Sequence, residues 1–161
     1  ADLSRFAGFI VEGGIDQEFL YRHREVIHRF LDSGGVIVYS GELFRSWLPE
    51  SQPFVPYADG GHPEPAEAFA PHPVFDGLKP SQMGAHFVSG HHPVPPGAEV
   101  IAALPGGEAA VYVDKANSGG TVMVHAGHTL LGYAANAKEE AMARRLLPQL
   151  LSWIRAGGSP C

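Results

Sequence analysis

A serine and a glutamate flank a glycine at Ser40-Gly41-Glu42, directly after the apolar run Val36-Ile37-Val38-Tyr39. A serine at the end of a buried strand is where an acyl-transfer nucleophile is displayed, because the sharp turn that follows exposes its hydroxyl. That hydroxyl is too weak an acid to attack unaided at neutral pH, so a neighbouring base must take its proton. His125, which closes the run Gly120-Thr121-Val122-Met123-Val124, is the candidate base, with Glu12 or Glu42 to orient it. Backbone N–H groups of Gly13 and Gly41 would hold the oxyanion, with Gly14 and His128 beside them. Against this, Val38 stands where a Gly-x-Ser-x-Gly elbow has its first glycine, and a branched side chain crowds that turn. Serine also caps helices, so Ser40 has a purely structural use as well.

Histidine offers a second chemistry. His86, His91 and His92 lie close together, with His62 and His72 before them. Neutral imidazoles joined by one or two carboxylates suit zinc or another divalent ion. Yet no His-x-x-x-His falls in a helical stretch, and His91-His92 is bordered by turn residues, so solvated loop histidines are the competing reading. The sequence requires no cofactor, and zinc is an alternative only.

These residues sit in a chain of 161 with 45% apolar content, which suits one globular domain with a sizeable core. A net charge of -6 excludes nucleic acid as the main partner, since phosphate contact wants a basic surface. No apolar run approaches the roughly 18 residues of a membrane span, and no signal-peptide pattern is expected. The lone cysteine, Cys161, permits no internal disulfide, which suits a reducing, cytoplasmic setting.

The elements that must position the candidates follow from periodicity. Phe6–Val11 reads as a strand ending in Glu12-Gly13-Gly14. Asp16 is placed to cap a helix running to about Ser33, with Phe19, Leu20, His23, Val26, Ile27, Phe30 and Leu31 on one stripe. Val36–Tyr39, apolar throughout and mostly β-branched, suits a strand covered on both faces, completing a parallel βαβ unit. Glu42–Leu48 reads as a short helix ended by Pro49. Counting both ends, seven prolines fall from Pro49 to Pro73, together with Phe54, Tyr57 and Phe69. A loop of that length in a compact domain is a lid, a binding loop or an arm. A turn at 72–78, a strand at His86–Val88 and a polar turn at Ser89–His92 come next. Three strands follow at 99–104, 109–113 and 120–125, joined by hairpin-type turns. A last helix spans Lys138 to Ala156, with Ala141, Leu146, Leu147, Leu150, Leu151 and Ile154 as core and Pro148 kinking or dividing it.

The order of these pieces resembles the class I glutamine amidotransferase-like superfamily, and within it the ThuA-like group. The strand ending in Gly13-Gly14 is similar to that family's oxyanion strand, and Gly34–Gly41 to its elbow strand. His72-Pro73-Val74-Phe75-Asp76-Gly77-Leu78 resembles its "HPIxxGL" segment, and Gly120–His128 the strand that carries its late histidine. The resemblance implies an α/β fold: a flavodoxin-like three-layer sandwich with a mostly parallel sheet, an added antiparallel portion and a site at the strand C-termini. It also implies a strand and helix ahead of Phe6 that have no counterpart here. Either that unit is dispensable or the chain is a shortened or processed form, and an unpaired strand edge would favour a partner chain. At the elbow, Tyr39 or Ser40 replaces the family's cysteine, and Gly127 replaces the acidic residue that follows the histidine. Glutamine hydrolysis by the family mechanism is therefore not expected. The sequence points instead to a catalytically degenerate domain that binds a small molecule or serves assembly as a homo-oligomer.

Overall fold

Side chains of alternate residues leave opposite faces of a strand, and this alternation divides the core in two. In the computed structural model, which describes residues 2–57, 68–83, 88–127, 129–134 and 140–159, seven strands and four α-helices form. The strands are β1 (Gly8–Glu12), β2 (Val36–Ser40), β3 (Val55–Pro56), β4 (Gly90–His91), β5 (Glu99–Ala103), β6 (Ala109–Asp114) and β7 (Thr121–His125). The helices are α1 (Gln17–Arg22), α2 (Arg24–Asp32), α3 (Leu130–Ala134) and α4 (Glu140–Arg155). His62, His86, His128, Lys138 and Cys161 lie outside the described residues.

The main sheet has the order β1-β2-β7-β6-β5. Its first three strands are parallel, and β6 runs antiparallel to both β7 and β5. Val36 and Val38 of β2 and Met123 of β7 face one way, packing with Leu146, Leu150, Trp153 and Ile154 of α4. Ile37, Tyr39, Val122 and Val124 face the other way, against Phe30 and Leu31 of α2. Helices on both faces of a sheet are the α/β sandwich that the βαβ pattern implies.

The capping and pairing read from the sequence form as expected: Asp16 Oδ1 accepts from Phe19 N–H at 3.0 Å, and β1 pairs with β2 in parallel. Four details differ. The first helix divides at His23, which ends α1 and begins α2. No helix forms over 42–48, because the carbonyls that would accept its first bonds go elsewhere: Glu42 C=O accepts from Gln17 Nε2 at 2.6 Å and the Tyr39 hydroxyl at 2.9 Å, and Leu43 C=O from Phe54 N–H at 2.8 Å. Residues 89–92 are not a free turn. Gly90–His91 is β4, pairing with β3 from the Pro-rich loop, and His92 bridges Ala109. Lastly, Pro148 does not divide α4, and Leu151, read as core, is 46% exposed while Trp153 is buried in its stead. The aromatics of the Pro-rich loop turn inward: Phe54, Tyr57 and Phe69 pack on the α4-side core.

Candidate functional site

The register brings three candidates into one row. Glu12 pairs with Ser40 across β1 and β2, and Ser40 pairs with His125 across β2 and β7. In-register residues of parallel strands share a face, here the one covered by α3 and α4, with adjacent strands about 4.8 Å apart. The row ends at the C-terminal edge of these strands, where an open α/β sheet holds its ligands.

A cleft of about 430 Å³ opens there. Its lining includes Glu12, Gly13, Gly14, Ser40, Gly41 and Glu42, all singled out in the sequence, and also Phe44, Ser89, Gly127 and Thr129. The floor is narrow because two backbones touch. A Cβ at Gly41, whose φ is +146°, would lie 2.6 Å from Gly13 Cα, whereas one at Gly14 would meet nothing within 4 Å. Glycine is a steric requirement at Gly41, and open cleft lies over Gly14.

The nucleophile arrangement is only partly assembled. Ser40 is 1% exposed, and its Oγ accepts from Leu130 N–H at 3.4 Å. His125 is fully buried and does not line the cleft. The row order also sets Ser40 between Glu12 and His125, so Glu12 is not beside the imidazole it would orient. Glu42 Oε1 instead accepts from the Ser89 hydroxyl at 3.3 Å. Gly41 N–H, expected to face an oxyanion, donates to His125 C=O at 3.0 Å and so belongs to the sheet.

His92 serves structure. His92 is 1% exposed, and its Nε2 accepts the Leu43 N–H, which leaves the ring proton on Nδ1. Burial, with His125 and His91 beside it, pushes its pKa down to about 3, so the ring stays neutral and remains an acceptor. His91 lies half-buried against Tyr57. Among the described residues, no group of three or more His, Cys, Asp or Glu is placed to hold a metal ion.

The cleft wall is held by a residue the sequence reading passed over. Gln17 is buried, and its Nε2 donates to Glu42 C=O at 2.6 Å and to the Tyr39 hydroxyl at 3.1 Å. The Tyr39 hydroxyl donates to the same carbonyl at 2.9 Å. Burial, aided by Glu42, holds the Tyr39 phenol far above its ordinary pKa, so it keeps its proton as a donor. Gln17 is the first residue of α1 and looks solvent-facing by spacing; nothing local announces a reach to residue 42.

No family model, curated protein or solved structure matches this chain. No described helix is long and apolar enough to cross a membrane.

Proposed function

We propose that the chain is a small-molecule-binding domain of amidotransferase-like design, without glutamine hydrolysis, whose ligand occupies the cleft above Gly13 and Gly14. The observation that carries this reading is the cleft's composition at the strand ends: glycine floor, converging polar groups and an aromatic rim at Phe44. The covered Ser40 and the row order favour binding over turnover. A fragment panel of mixed charge, followed by amide shifts, tests it. Binders should perturb Gly13, Gly14 and Gly127, and Gly14→Leu should abolish those shifts while the fold is kept. A panel without one cleft binder would refute the reading.

A second reading has the pairing of Ser40 with His125 in its favour. It is a serine hydrolase in which ligand binding shifts Leu130 and frees Ser40 Oγ. Ester turnover lost in Ser40→Ala would establish it.

Assembly as a homo-oligomer and a cytoplasmic setting complete the proposal. Strand β1 is a sheet edge, beside an apolar groove formed by Phe9, Val11, Phe19, Leu20 and Ile27. An open edge next to apolar surface favours a second copy. Light scattering should give a dimer or larger, and a monomer at all concentrations would remove this part.

A further inference from the structure

The cleft is unbalanced in charge. Glu12 and Glu42 both line it, with Ser40, Ser89 and Thr129, while no lysine, arginine or histidine appears among its described lining residues. Glu12 Oε1 is wholly buried and has no hydrogen-bond partner. A carboxylate oxygen withdrawn from water without a donor is unfavourable until something supplies one. Glu42 Oε1 holds only the long bond from Ser89. At the mouth stands Phe44, 65% exposed, with its ring available as an apolar or cation-facing platform.

Resting on the binding role proposed above, we infer that the ligand is a small organic cation, an ammonium or amidinium group on an apolar stem. Its charged head donates to Glu12 and Glu42, and its stem lies along Phe44. An anion would meet two like charges, with no cation among the described lining residues to offset them. A hard metal ion fits less well, because calcium takes 6–8 oxygen ligands and magnesium a near-octahedral set, whereas no group of three metal-ligating side chains occurs among the described residues. A neutral ligand would leave both charges uncompensated.

Three probes of matched shape and different charge test this: benzylammonium, benzyl alcohol and benzoate, with calcium chloride as a fourth. Backbone amide shifts at Gly13, Gly14 and Gly127 give both site and affinity. Benzylammonium should bind at least tenfold tighter than either benzyl alcohol or benzoate, and its affinity should fall as salt rises. Glu12→Gln should weaken it about tenfold or more without moving benzyl alcohol, and the exposed Glu99→Gln should change nothing. Because Glu12→Gln changes a half-buried side chain, its unfolding midpoint is measured alongside, and Gly14→Leu gives an independent block of the same cleft. If benzyl alcohol, benzoate or calcium binds as well as benzylammonium, the cation assignment falls and the binding role stands. If neither these probes nor the mixed panel bind, the binding role falls with it.

Discussion

Gly13 and Gly41 meet backbone to backbone where β1 and β2 end, with Gly13 Cα only 2.6 Å from where a Gly41 side chain would begin. This contact closes the floor of the cleft, and it separates two kinds of glycine at one site. Gly41→Ala adds a clash to a backbone angle that L-residues avoid, and should cost about 2–4 kcal/mol. Gly14→Ala meets open space and should stay within about 0.5 kcal/mol of the parent. Urea unfolding of the pair checks the contrast; equal losses would contradict the geometry.

Acid should destabilise the fold through neutral buried imidazoles. The folded pKa of His92 is about 3 and that of His72 about 4, the latter lowered by burial and by Lys115, against an ordinary 6.5 for both. The unfolded chain takes up these protons below about pH 6.5 while the folded one does not, so stability drops as pH falls from there toward 3–4. His92 alone should account for a loss on the order of 2–3 kcal/mol between pH 7 and pH 4. His92→Gln keeps an acceptor near Leu43 N–H and does not titrate, so its stability curve should be flatter over that window. An unchanged slope would contradict the assignment.

Gln17 should matter more than a residue at the start of a short helix ordinarily does. Gln17→Leu removes two donors and an acceptor, leaving Glu42 C=O with the Tyr39 hydroxyl alone and Phe44 N–H without its partner. A loss of about 2–4 kcal/mol is expected, against about 1–2 kcal/mol for Tyr39→Phe. Amide exchange at Phe44 should accelerate in Gln17→Leu, reporting a loosened cleft wall.

Two neighbours near the end of α4 should behave oppositely. Trp153 is 1% exposed and Leu151 is 46% exposed. Trp153→Ala should cost about 3–5 kcal/mol, while Leu151→Lys should stay within about 0.5 kcal/mol. Thermal unfolding of both variants measures the difference.

The parts legible in the sequence are those that depend on near neighbours. The β-branched run at Val36–Val38, the glycine pairs and the capping Asp16 each specify a local conformation, and periodicity then says which faces meet a core. These were enough for the βαβ unit and the hairpin strands, and they put Glu12–Gly14 and Ser40–Glu42 at the strand ends, where the cleft opens. Where periodicity misled, a distant group had intervened. Residues 42–48 carry helix-compatible side chains, but the carbonyls of Glu42 and Leu43 are taken by Gln17, Tyr39 and Phe54.

What the sequence by itself determined is the alternation of elements and the residue types at the strand ends. Only the tertiary structure decided how those residues stand to one another: Ser40 beside His125, Leu130 N–H over Ser40 Oγ, and Glu12 set with an oxygen buried and unpartnered. The reason is physical. Secondary structure is set by dihedral preferences and spacing within a few residues, whereas the Ser40–Leu130 and Leu43–His92 bonds close across 90 and 49 residues. Such bonds exist only once sheet order and register have brought those segments together.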